Sequence, residues 1–233
     1  MRYGMEDVGK YTLEDGVVSE YYGVLAVYGA MPFQTDAENR YHVLFSQTVE
    51  NDASKYGEIR QEHETFENQD GSAYYYYDME CFYFDDNFPD ILNETLQTYY
   101  NVKREAYCQD SKSYGDVVSE EMYIPYGSLI FQYFTYVGDD YISLVYNDVI
   151  YMGGAHPYSA FEGVTIDCHT GEMLSVSHFL DDSEKEIAEG IKRALGIDGY
   201  RSQEWDYYIT ENSVVFFHYD PRLLQLVATK RAR

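Results

Sequence analysis

Tyr151-Met152-Gly153-Gly154-Ala155-His156-Pro157 decides how this chain is read, together with Asp167-Cys168-His169-Thr170-Gly171-Glu172 further on. Paired glycines permit a positive φ or a close backbone approach, and Pro157 holds His156 extended. A strand entering such a segment must turn a corner. The second piece is a tight turn between two strands, with Thr170-Gly171 at its tip. Around them the chain alternates in strand fashion. Residues 122–137 and 141–151 join at Gly138-Asp139-Asp140, and 159–167 pairs with 173–176 across His169-Thr170-Gly171.

Working outward, residues 74–84 form a strand with Tyr75, Tyr77, Met79, Cys81 and Tyr83 on one face. Asp85-Asp86-Asn87-Phe88-Pro89-Asp90 then opens a helix. Proline is tolerated early in a helix, and the acids complement the positive end of its dipole. Ile91, Leu92, Thr95, Leu96 and Tyr99 continue at helical spacing, which predicts about four turns. The acids lack the ligand spacing and terminal Glu of an EF-hand, so capping is the better account. Ser183-Glu184-Lys185-Glu186 is a capping box, and the helix it opens buries Ile187, Ile191 and Leu195 before Gly196. Residues 205–209 and 213–219 form a closing hairpin over Thr210-Glu211-Asn212. Nearer the start, 21–28 and 41–49 read as strands, while 55–70 reads equally as a loop or an exposed strand pair. Strands interrupted by two isolated helices predict an α+β fold with a mainly antiparallel β-sheet and two principal helices.

The 233 residues suffice for one sizeable domain or two packed ones, and 45% hydrophobic content excludes wholesale disorder. Tyrosine is the outlier, with 28 residues against 12 Phe and one Trp. Its apolar ring and polar tip suit half-covered sheet faces, or else an aromatic platform for a partner. The net charge of −25 opposes binding to phosphate backbones and anionic membranes. It steers cationic partners instead. Residues 113–184 contain no Lys or Arg but include Asp139, Asp140, Asp167 and Glu172. That acidity serves either solubility or partner binding.

No apolar run approaches the roughly 20 residues needed to span a bilayer. The start, Met1-Arg2-Tyr3-Gly4-Met5-Glu6-Asp7, lacks the apolar core of a signal peptide. Either the protein is cytosolic, or a leader or anchor is absent from this chain. Cys81, Cys108 and Cys168 match neither a zinc site nor a disulfide-dense scaffold, and a Cys81–Cys108 bridge is one option.

The corner has two readings. It can aim His156 at solvent for binding or catalysis, or it can let one strand cross beneath another. Zinc would need three or four ligands, and His156, His169, His178 and Asp167 show no tight spacing. No Gly-x-Ser-x-Gly elbow is present. No catalytic residue, metal or cofactor is therefore assigned. The candidate binding residues are His156, Tyr151, Asp139, Asp140 and Tyr158. Gly153, Gly154, Pro157, Asp167, Thr170 and Gly171 are candidates for a structural motif.

These motifs carry a resemblance. The run Tyr141-Ile142-Ser143-Leu144, Tyr151, Gly153-Gly154-Ala155-His156-Pro157, Asp167, Thr170-Gly171, Leu174 and Phe179-Leu180 resembles the RsiV-like family of extracytoplasmic domains of unknown function. Residues 83–99 are similar to the smaller companion domain that precedes it. The resemblance covers residues 74–220. It implies the bacterial, extracellular or cell-surface module found in a lysozyme-sensing anti-sigma factor and beside the catalytic domain of some peptidoglycan deacetylases. In neither setting is the module the known enzyme. Residues 1–70 are then an N-terminal β/coil extension, 71–120 the strand-helix companion, and 121–233 the RsiV-type domain packed with it as one unit. Two features depart from the family. This chain contains neither the sigma-binding segment with its membrane helix nor a deacetylase domain. The basic end from Asp220-Pro221-Arg222 to Lys230-Arg231-Ala232-Arg233 also departs from its closing segment and final strand.

The leading expectation is a non-catalytic binding or sensor module for a cationic protein such as lysozyme, or for a cell-wall glycan or other wall component. It would have no nucleic-acid partner and no membrane insertion within this chain. A hydrolase or metal-dependent enzyme using His156 with nearby carboxylates is one alternative. A structural envelope module without a ligand is the other.

Overall fold

The computed structural model describes residues 11–14, 17–21, 23–24, 41–44, 50–51, 53–115, 125–153, 157–195, 205–220 and 223–231. The early strands are β1 (Tyr11–Glu14), β2 (Val17–Tyr21), β3 (Gly23–Val24), β4 (Tyr41–Leu44) and β5 (Glu50–Asn51). Two long strands follow, β6 (Gly57–Glu67) and β7 (Ala73–Phe84), and then α1 (Asp90–Gly115). Three more strands come next: β8 (Tyr126–Val137), β9 (Tyr141–Tyr151) and β10 (Tyr158–Asp167). Beyond α2 (Glu184–Leu195) lie β11 (Asp206–Ile209), β12 (Ser213–Asp220) and β13 (Leu223–Lys230).

One sheet has the order β1-β2-β6-β7-β8-β9-β10, and a second has the order β11-β12-β13-β4. Pairing is antiparallel except for β7 with β8, which α1 connects as a crossover. Among the described residues the fold is α+β with a mainly antiparallel sheet and two α-helices, as the order of elements implies. Burial along each strand sorts the layers. Glu62, Tyr77, Tyr146 and Glu162 face α1, which contacts them through Arg104, Tyr107, Tyr99 and Lys103. On the opposite face, Val145 and Tyr133 share a core with Tyr208, Val215, Phe217 and Ala228 of the second sheet. The alternate residues Ile209, Val214, Phe216 and Val227 pack with Ile187 and Ile191 of α2. The molecule is thus layered helix, sheet, sheet, helix, with period-two alternation sending each strand's side chains into two interfaces.

The two sheets meet closely where β11 crosses β10. A methyl group on Gly163 would lie 1.9 Å from the Tyr207 carbonyl oxygen, so only glycine fits that crossing. Asp206 accepts the Gly163 N–H at 2.8 Å, and burial raises its carboxyl above the usual range. Ser143 Oγ accepts the Ile209 N–H at 3.1 Å and bonds Thr165 Oγ1 at 2.9 Å.

Five local expectations change. Residues 57–67 form one long strand, which Asp70-Gly71 turns back onto β7; Gly71 has φ 83°. Helix α1 runs 26 residues rather than four turns. Its apolar seam of Leu92, Leu96 and Tyr100 gives way to polar tethers that continue the docking: Arg104 to Glu62, Lys103 to Glu162, and Tyr107 to Asp148. The 173–176 strand reduces to a single bridge, Met173 to Ile166, with the Leu174 N–H still donating to the Thr165 carbonyl at 2.8 Å; the Leu174 and Val176 side chains pack with the α2 core. Residues 223–230 form a strand despite their basic end, pairing with both β12 and β4. Cys81, Cys108 and Cys168 are all free thiols, so no Cys81–Cys108 bridge forms; burial pushes Cys81 up to about 12. The capping box forms as expected: Ser183 N–H donates to Glu186 Oε2 at 2.8 Å, and Glu186 N–H donates to Ser183 Oγ at 3.3 Å.

Candidate functional site

Among the described residues, eight tyrosines serve the interior. Tyr75, Tyr77, Tyr99, Tyr100, Tyr107, Tyr133, Tyr146 and Tyr208 are buried. Three of their hydroxyls donate to carboxylates: Tyr77 to Glu64 at 2.9 Å, Tyr99 to Glu162 at 2.8 Å, and Tyr107 to Asp148 at 2.7 Å. Tyr100 donates to Gln132 at 3.0 Å and accepts the Phe82 N–H at 2.8 Å. Burial drives Tyr99, Tyr107 and Tyr146 far above the ordinary phenol range. Tyr99 and Tyr107 hold the helix on the sheet as neutral donors, while Tyr146 stacks its ring on Tyr99 at 4.6 Å.

The candidate binding residues fall into two groups at opposite ends of β9. At the corner end, Tyr151 is half-buried and Gly153 has φ 75°. Pro157 is exposed. Tyr158 is 42% exposed, and its hydroxyl donates to Met152 Sδ at 3.1 Å. Gly154, Ala155 and His156 lie outside the described residues. Ten residue steps of β9, at about 3.3 Å each, put this end about 33 Å from Asp139 and Asp140. One ligand-sized site does not span the two.

The other end is a built structure. Asp167 Oδ1 accepts the backbone N–H groups of His169 and Thr170, each at 2.8 Å. The Thr170 N–H, chiefly, holds that carboxyl below the usual range. Gly171 has φ 72°, and a methyl group there would meet Ile91 Cγ1 at 2.5 Å. Glycine therefore both permits the turn and lets it lie against α1, where Thr95 Oγ1 donates to the Gly171 carbonyl at 2.9 Å. Cys168 N–H donates to the Asp140 carbonyl at 2.8 Å, and His169 Nε2 lies 3.2 Å from Asp140 Oδ1.

Two turns and the start of α1 are thus bound together. The exposed carboxylates of Asp139, Asp140 and Glu172 are joined there by those of Asp90 and Glu94 on the adjoining turns of α1. Residues 90–95, 138–141 and 167–174 contain no Lys or Arg. In the sequence Asp90 reads as part of a helix start, and nothing there singles out Glu94. Their place at this end depends on Thr95 and Ile91 meeting Gly171, some 76 residues away in sequence.

Elsewhere, an open cleft of about 480 Å³ is lined in part by Glu58, Arg60, Tyr83, Asp85 and Asp86. Arg60 pairs with Glu58 and covers the Tyr83 ring at 4.1 Å. Among the described residues, no group of three or more His, Cys, Asp or Glu side chains is arranged to hold a metal ion. No helix among them is long and apolar enough to cross a membrane.

No family model matches the sequence, and no curated protein matches it. Among solved structures, the fold is similar to that of a DUF3298 family member from Bacteroides fragilis. That likeness has 12% identity, covers 74% of this chain and 88% of that one, and has a TM-score of 0.50. A DUF3298 family protein from Pseudomonas aeruginosa is also similar, with 12% identity, 68% and 80% coverage, and a TM-score of 0.42. At this identity the likeness to the Bacteroides protein is one of fold.

Proposed function

We propose that this chain is an extracytoplasmic binding module of the RsiV-like kind, which takes a cationic protein such as lysozyme, or a cell-wall component, at its acidic end. One observation carries the reading. The 138–140 and 167–172 turns are hydrogen-bonded to each other and to α1, so the exposed carboxylates around them sit on a rigid frame. Fixed charges of one sign steer an oppositely charged partner without ordering a loop on binding.

The test is calorimetric titration with a cationic lysozyme at low and physiological salt, beside a second basic protein of similar charge. Saturable, stoichiometric binding that survives physiological salt and excludes the control supports recognition. Equal binding to both proteins reduces the effect to charge attraction. No binding to either moves the assignment to a wall component, tested next with soluble cell-wall fragments, or to a structural envelope role.

A further inference from the structure

On the sheet face turned away from α1, β6 and β7 present three side chains in a linear array. Asp78 Oδ1 lies 2.7 Å from His63 Nδ1, and His63 Nε2 lies 2.8 Å from Thr65 Oγ1. The placement follows from register. His63 stands directly across from Asp78, and Thr65 lies two residues along on the same face. The array is open to solvent, with the His63 side chain 56% and the Asp78 side chain 25% exposed. The second sheet packs against β8, β9 and β10, so this part of the face is a shelf beside it. Tyr76, whose ring centroid is 6.4 Å from the imidazole, forms a half-buried wall.

We infer that Thr65, His63 and Asp78 form an acyl-transfer triad that hydrolyses activated carboxylic esters. Asp78 accepts the Nδ1 proton of His63, which leaves Nε2 unprotonated and facing the Thr65 hydroxyl. Thr65 Oγ1 attacks the ester carbonyl carbon, and its proton passes to His63 Nε2. The bond from that carbon to the leaving oxygen then breaks. The oxygen departs with the electron pair and takes the proton from Nε2. A water molecule attacks the acyl-Thr65 carbonyl, giving a proton to Nε2. The carboxylic acid leaves, and Thr65 recovers its proton. The sum is ester plus water to acid plus alcohol. Threonine's branched Cβ limits χ1 and so keeps Oγ1 on the imidazole. No oxyanion donor pair is assigned on the shelf. Loss of even one such donor typically costs about 10²–10³ in rate, which confines the activity to activated esters and excludes amides.

The test is p-nitrophenyl acetate hydrolysis by the full chain, with peptide mapping of the acetylated intermediate after acid quench. The expected result is an acetyl group on Thr65. T65A and H63A should each lose at least about tenfold in rate, D78N should lose most of it, and T65S should keep or raise it. All three positions border solvent, and unchanged circular dichroism spectra confirm that the variants fold. If T65A retains the wild-type rate, or the acetyl group is found on His63, the imidazole acts alone as a surface nucleophile and the triad is overturned. If wild type and H63A show equal rates, the array is a cross-strand polar ladder without chemistry.

Discussion

Asp167 organises its turn through two backbone donors, and neither bond was visible as such in Asp167-Cys168-His169-Thr170-Gly171. The Thr-Gly tip announced a turn. What it did not announce was that the turn lies on α1, because that contact depends on the space left by a missing Cβ at Gly171. Replacing Asp167 with Ala orphans both N–H groups and should cost about 1–2 kcal/mol, measured by urea unfolding. The pH dependence has a definite sign. A carboxyl whose native pKa is depressed adds stability above its unfolded value of about 4, and that stability is lost as pH falls through the native value. The gap between Asp167→Ala and wild type should therefore narrow in acid. The effect is modest, since the group faces solvent and its charge is screened. A gap that stays constant from about pH 7 to about pH 3 would show that the N–H bonds do not depend on ionisation.

The helices and strands differ in how openly they declare themselves. β7 was legible because Tyr75 and Tyr77 alternate with the less buried Tyr74, Tyr76 and Asp78. β6 was not, because Glu62 and Glu64 look like solvent-facing charges until Arg104 and Tyr77 arrive to pair with them. The same exchange hid the second half of α1, whose docking uses tyrosine-carboxylate bonds instead of an apolar stripe. The His63, Thr65 and Asp78 array was equally hidden, since it exists only once Asp70-Gly71 sets the hairpin register. Asp148 tests how the α1 seam is balanced. Burial raises its carboxyl, while the Tyr107 hydroxyl, at 2.7 Å, pulls it back down. A raised carboxyl favours the folded state while protonated, and that advantage is lost as pH rises from the unfolded value through the native one. Asp148→Asn keeps an oxygen for Tyr107 but has no charge to bury. Its stability relative to wild type should therefore improve as pH rises above the unfolded value of about 4, read from paired thermal melts. A difference that does not change with pH would mean that water reaches Asp148 and removes the burial effect.

At the scale of the whole molecule, the layered architecture separates what adjacent numbering had grouped. The corner and the Asp139-Asp140 turn are one strand apart in sequence, yet β9 holds them at opposite ends, while α1 brings Asp90 and Glu94 to the second of them. Charge counting along the chain detected a base-free span but could not show which acids share a surface, because that depends on the β7-α1-β8 crossover. With a net charge of −25, general attraction of any cation is expected, so a local role must be separated from the global field. Reversing Asp139 and Asp140 to Lys should slow association with a cationic lysozyme by about tenfold at low salt, with a smaller change in dissociation. Reversing Glu67 and Glu105 to Lys changes net charge equally at exposed sites on β6 and the later half of α1. Stopped-flow association rates for the two variants decide the matter. A selective loss in the Asp139/Asp140 variant places the encounter at the acidic end. Equal losses assign steering to the whole field, and an unchanged rate in the first variant removes that end as the contact surface.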